Sequence, residues 1–150
     1  MSEIWKPHAT VAAIIERDNR FLIVEEISSG ETVYNQPAGH LDPHESLLEA
    51  AIRETREETG WQFKPEYISG IYRWEHPITR DCFLRVAFVG SCDQHDKEQP
   101  LDDGIIQALW LSRDELVAKA QQLRSPLVLR CIDDYLDGKK YPLDLLTDIA

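Results

Sequence analysis

The chain has 150 residues, 43% apolar and 29% charged, so it can bury a core without disulfides and is expected to form one domain spanning 1–150. Its 27 acidic and 16 basic side chains leave a formal net charge of −11, which opposes sequence-independent binding to nucleic acid or to an anionic membrane surface. No apolar run approaches the roughly 20 residues needed to span a bilayer. Three irregularly spaced cysteines, Cys82, Cys92 and Cys131, and the lack of a charged-then-apolar leader predict a reduced, cytoplasmic protein.

Along the chain, Ala9–Ile15 and Phe21–Glu25 are mainly β-branched or apolar, with Arg17, Asp18 and Asn19 suited to a turn between paired strands. Thr32–Tyr34 reads as a short strand, and Gln36–Gly39 as a loop because Pro and Gly interrupt regular pairing. A helix is expected over Glu45–Thr59, with Asp42 as cap, Pro43 at its first position and Gly60 as its left-handed stop. Strands follow around Tyr67–Trp74, Phe83–Val89 and Ile105–Leu111. Ser112 and Glu115 form a capping-box pattern, with Leu111 and Leu116 as a hydrophobic staple, so a second helix begins there. Pro126–Leu136 is expected to be a third. Strands and helices interleave, which gives an α/β or α+β class.

The first helix carries the chemistry. At about 100° per residue, Leu48, Ala51, Ile52, Thr55 and Thr59 share one packing side, while Glu54, Glu57 and Glu58 meet on another as i, i+3 and i+4 neighbours. Three like charges repel, and Arg53 and Arg56 relieve them only in part; a hard, oxygen-seeking divalent cation would turn the cluster into a site. The bland alternative is a solvated acidic face.

Spacing separates the two readings. Gly39, five residues, Glu45, seven residues, Arg53-Glu54, two residues, Glu57-Glu58, one residue and Gly60 resemble the Nudix hydrolase signature at every charged and glycine position over Gly39–Trp61. Thr55 departs from it, standing where the family usually has a bulky aliphatic residue. The resemblance implies a Nudix-like α/β/α sandwich around a mixed β-sheet. It also implies Mg²⁺ (or Mn²⁺ as substitute) held by Glu54, Glu57 and Glu58 with a main-chain carbonyl at Ala38 or Gly39, and a Glu45–Arg53 ion pair that fastens loop to helix. From local sequence alone Glu45 serves equally as a cap partner of Asp42.

Hydrolysis of a phosphoanhydride needs cations on the phosphoryl oxygens and a group that takes a proton from the attacking water. Glu57 is the favoured base. The resemblance places an acidic residue from the segment before Ile105 near the metal, and Asp103 is the candidate beside Asp102, although turn aspartates are common. Asn35, Gln36, Arg73, Trp74 and Arg85 are candidate substrate contacts, since guanidinium groups bind phosphate and an indole stacks on a ring; Trp74 could instead be core. His40 and His44 lack a third ligand at zinc spacing and read as loop histidines near the cleft.

Segments on both sides of the helix, among them Asn35–Leu41, Phe83–Arg85, Leu123–Val128 and Tyr141–Leu143, resemble the NudJ-type branch of bacterial phosphatases. That branch implies release of orthophosphate from nucleoside di- and triphosphates and from hydroxymethylpyrimidine diphosphate, a small-molecule substrate, and a monomer or small homo-oligomer. Two alternatives share the helix: a house-cleaning pyrophosphohydrolase that releases pyrophosphate from a nucleoside triphosphate, and a non-catalytic nucleotide-binding module. Retention of all three glutamates opposes the second.

Overall fold

The computed structural model describes residues 3–150, so the first two residues of the expected domain fall outside it. Strand β1 (His8–Arg17) shows why the fold is layered: Val11 to Ile15 are consecutive and all buried. A strand without polar alternates has to be covered on both faces. Val11, Ala13 and Ile15 pack beneath the first helix, and Ile14 faces the third.

Strand β2 (Arg20–Ser28) returns antiparallel through Asp18 and Asn19, both at positive φ (53° and 64°), as a two-residue hairpin turn of this hand requires. Beyond that turn the strands part. β3 (Glu31–Asn35) and β7 (Ile105–Leu111) flank β2 in an antiparallel ribbon. β1 continues into a mixed sheet, parallel to β6 (Cys82–Asp93), which is in turn antiparallel to β5 (Gln62–Glu75).

The segment expected to be loop contains a short strand, β4 (Ala38–His40), antiparallel to the other edge of β1 with Val11 opposite Gly39. Pro37 has no N–H to give, but its carbonyl accepts from Ala13 N at 2.9 Å, so the pairing starts one residue later than the proline.

Helix α1 (Leu47–Thr59) covers one face of the mixed sheet; α2 (Arg113–Ala118) and α3 (Leu127–Leu136) lie on the other. The result is a mixed α+β, three-layer arrangement, as expected. Its α1 start is not: Ser46 is the N-cap, in a reciprocal capping box with Glu49, and Asp42 and Pro43 precede the helix. His44 at φ 67° breaks the chain direction before the helix begins. Gly60 ends it at φ 77° as expected. Thr55 is fully buried on the packing side, where its hydroxyl donates to Ala51 O at 2.8 Å and so needs no other partner. The Ser112–Glu115 box also forms, with Leu111 and Leu116 buried in one cluster. Among the described residues no helix is long and apolar enough to cross a membrane.

Candidate active site

Glu54, Glu57 and Asp102 bring carboxylate oxygens within 4.8 Å of one another. Two of these residues come from adjacent turns of α1. The third comes from the loop before β7, whose Asp102 N–H donates to Glu57 O at 3.1 Å. Asp103, the candidate from sequence, is exposed and lies outside this group; the register of that backbone bond brings its neighbour to the helix instead. The donor set is wholly carboxylate oxygen, with no sulfur or nitrogen, and therefore fits a hard divalent cation such as Mg²⁺ or Mn²⁺.

Glu58 stands apart from the three. It is 8% exposed, and its Oε1 accepts from Ala38 N at 2.9 Å. Burial pushes its carboxyl well above the usual glutamate range against that hydrogen bond. Glu54 is also raised by burial, with hydrogen bonding from Arg53 opposing. Gly39, beside Ala38 on β4, faces Glu54 so closely that a Cβ there would overlap the carboxylate. The close approach of strand and helix requires glycine.

Arg53 holds the group together. Its Nε and Nη2 bind both oxygens of Glu45 at 2.9 and 2.7 Å, Nη2 also donates to His40 O at 3.0 Å, and Nη1 donates to Glu54 at 2.8 Å and Glu57 at 3.2 Å. All five guanidinium N–H donors are used. Glu45, whose carboxyl the Arg53 hydrogen bonds hold low, also accepts from Asp42 N at 2.8 Å. Glu45 thus makes the ion pair with Arg53 and also binds the Asp42 amide, but not as a helix-cap partner, because the cap is Ser46.

A cavity of about 710 Å³ opens beside this cluster, between the β2–β3 ribbon and the mixed sheet. Glu54 and Glu58 line one side. Trp74 and Phe83, paired across β5 and β6, form another, their rings stacked at 5.7 Å, and His8 continues the row on Phe83 at 4.9 Å. Trp74 is thus half-buried cavity wall rather than core. Arg73, its neighbour on the strand, is exposed, points to the opposite side and pairs with Glu75 at 3.6 Å. Arg73 therefore does not share the cavity.

Asn35 and Arg85 line the cavity, both nearly buried, while Gln36 is 1% exposed and lies behind them. Arg85 donates to Gln36 Oε1 at 3.0 Å and Asn35 Oδ1 at 3.2 Å, and Gln36 donates to Val128 O of α3 at 2.7 Å. Gln36 therefore orients Arg85 instead of meeting a ligand. Arg124, absent from the sequence candidates, lines the cavity and pairs with Glu26 at 2.6 Å. His40 lines it too, bonded to His8 at 3.1 Å, with its imidazole held low by burial and by His8; His44 does not line it.

The NUDIX domain family matches residues 6–131. The chain belongs to the Nudix hydrolase family. This Nudix hydrolase is 41% identical over 145 residues to the phosphatase NudJ of Escherichia coli K12, covering 97% of this chain and 94% of that one. The NudJ phosphatase of Shigella sonnei matches to the same extent, 41% over 145 residues. A solved Nudix hydrolase from Nitrosomonas europaea superposes with a TM-score of 0.94 at 48% identity, covering 96% of this chain and 98% of that one. A MutT Nudix hydrolase from Burkholderia pseudomallei, at 17% identity and TM-score 0.73 over 87% of this chain and 98% of its own, shares the fold. The protein is accordingly an enzyme of phosphoanhydride bonds, related to NudJ phosphatase.

Proposed function

We propose that the protein is a Mg²⁺-dependent phosphatase of nucleoside di- and triphosphates and of hydroxymethylpyrimidine diphosphate, releasing orthophosphate. The single Nudix domain of 1–150 would act in the cytoplasm on these small molecules. The observation that carries the reading is Glu54, which belongs both to the three-carboxylate cluster and to the lining of the aromatic-walled cavity. A cation held by Glu54, Glu57 and Asp102 would neutralise phosphoryl oxygens at the point where the cavity ends.

The chain's own groups supply the rest. Glu57 would take the proton from the attacking water with the carboxylate oxygen that a cation does not hold: its side chain is 30% exposed against 12% for Glu54, and it takes the longest of Arg53's contacts to the glutamates. Glu58 holds Ala38 and with it the β4 backbone against the helix. The Trp74–Phe83 wall offers a face for a pyrimidine or purine ring. Arg85 and Asn35 close the buried end, and Arg124 presents a half-exposed guanidinium toward the phosphate chain.

The test is product analysis with Mg²⁺, offering GTP, GDP and hydroxymethylpyrimidine diphosphate separately and quantifying orthophosphate and pyrophosphate without a coupling pyrophosphatase. Orthophosphate from all three supports the reading. Pyrophosphate from GTP alone replaces it with the house-cleaning reaction, and full activity after exhaustive chelation removes the metal.

A further inference from the structure

Asp102 is carried to the cluster by a surface loop, residues 94–104, whose acidic residues would be repelled by Glu54 and Glu57 unless something holds the loop in place. The structure supplies a clamp at the C-terminal end of α1. His95 Nε2 bonds Thr59 O at 3.1 Å; because the partner is a carbonyl, Nε2 carries the proton. The His95 ring also lies flat on Trp61, with centroids 4.4 Å apart and planes 12° from parallel.

The stack continues inward. Trp61 meets Trp110 edge-on at 6.0 Å, and the Arg17 guanidinium sits over both indoles at 4.8 and 5.1 Å while donating to Cys92 O at 2.7 Å. Asp96 N donates to Gly60 O at 2.8 Å, and a Cβ on Gly60 would stand 2.6 Å from Asp96 O. Gly60 therefore serves twice, ending the helix and letting the loop approach. At the far end of the loop, Asp102 N bonds Glu57 O, so the loop crosses the last turn of the helix between fixed points.

We infer that His95 and Trp61 are positioning residues for the cation site: stacked on each other and bonded to the helix terminus, they hold the 94–104 loop so that Asp102 meets Glu54 and Glu57. The inference rests on the reading of those three carboxylates as cation ligands. His95 touches neither the cluster nor the cavity, and it is exposed, so replacing it opens no core.

The experiment uses the full chain and Mn²⁺ alone as probe. In metal-free protein, His95→Ala should speed hydrogen exchange at the Asp96 and Asp102 amides. Its dissociation constant for Mn²⁺, read by paramagnetic resonance, should rise on the order of tenfold or more, the usual cost of losing a group that orients a ligand. His95→Gln keeps a donor for Thr59 O without the ring and should fall between. Unchanged Asp102 exchange, or a Mn²⁺ affinity within about twofold of the parent, overturns the clamp. Asp102→Asn separates the two levels: if it weakens Mn²⁺ binding and His95→Ala does not, the clamp alone fails. If Asp102→Asn has no effect either, the cation reading fails and takes the clamp with it.

Discussion

Arg53→Lys conserves charge and removes geometry. The guanidinium spreads five donors over Glu45, His40 O, Glu54 and Glu57, whereas an ammonium has three donors radiating from one atom. Even with all three donors engaged, a lysine leaves at least two of the five charge-assisted hydrogen bonds unmade. At about 1.5–3 kcal/mol each this amounts to roughly 3–6 kcal/mol. The Arg53 side chain is 19% exposed and Glu57 30%, which places the expected loss at the lower end, about 3 kcal/mol. For a chain of this size that is a fall of roughly 6–12 °C in Tm. Thermal unfolding in chelator measures the structural part, and a Mn²⁺ titration measures the loosening of Glu54 and Glu57. A loss below about 1 kcal/mol, with metal affinity unchanged, would refute the claim that the fork organises the cluster.

Glu57→Gln is expected to lower turnover by about 10²–10⁴-fold with the far-ultraviolet dichroism unchanged, and an unchanged rate in steady-state assay removes Glu57 as base. Asp102→Asn should raise the Mg²⁺ concentration needed for half-maximal rate while Asp103→Asn does not; the reverse order would restore the sequence candidate. Glu58→Gln bears on pH. Burial raises the Glu58 carboxyl, so the folded state holds that proton more tightly than the unfolded chain. Its contribution to stability is complete below the ordinary value of 4.5 and is lost as pH rises through the folded value. Glutamine keeps an acceptor for Ala38 N and carries no charge, so in chelator the variant's Tm should fall less than the parent's between acid and neutral pH. Parallel Tm curves would contradict this. Glu45, held low by Arg53, acts in the opposite sense, stabilising above 4.5 and losing that stability as pH falls below it.

What was legible in the sequence was local. The meeting of Glu54 and Glu57 on α1 follows from helical spacing, although Glu58, expected with them, is buried apart against Ala38; Gly60 and the Ser112 box follow from cap chemistry. The start of α1 was legible as well: Ser46 and Glu49 repeat the pattern of Ser112 and Glu115, but Asp42-Pro43 imitates a cap and first position upstream. Only the positive φ of His44 shows why that imitation fails. Arg73 and Trp74 offer a similar lesson. Neighbours on a strand face opposite sides, so both could not line one cavity, and the structure gives the cavity to Trp74. Other features lay beyond local reading. Arg85 meets Asn35 and Gln36 across about fifty positions of chain, and Arg124 reaches Glu26 across 98, so their burial and pairing come from sheet order. The choice of Asp102 over Asp103 turns on one backbone bond to Glu57.

The four acidic residues at the helix divide by the side they face. Glu58 lines the cavity and is buried; Glu57 and Asp102 stand away from the cavity and are more exposed; Glu54 belongs to both groups. If the cluster holds a cation, as proposed, the ion would enter from solvent past Glu57 and Asp102 without displacing a ligand from the cavity. On the proposed function, a phosphoryl group in the cavity would meet such a cation on the Glu54 side. Arg53, outside the cavity, compensates Glu54 and Glu57 but makes no bond to Glu58, whose carboxyl accepts from the Ala38 amide and is pushed by burial toward its protonated form. Metal binding should therefore release protons, and the release should shrink in Glu58→Gln. Calorimetric titration of Mg²⁺ in buffers of different ionisation enthalpy measures it directly, and an equal release from both proteins would show that Glu58 is already ionised before the cation arrives.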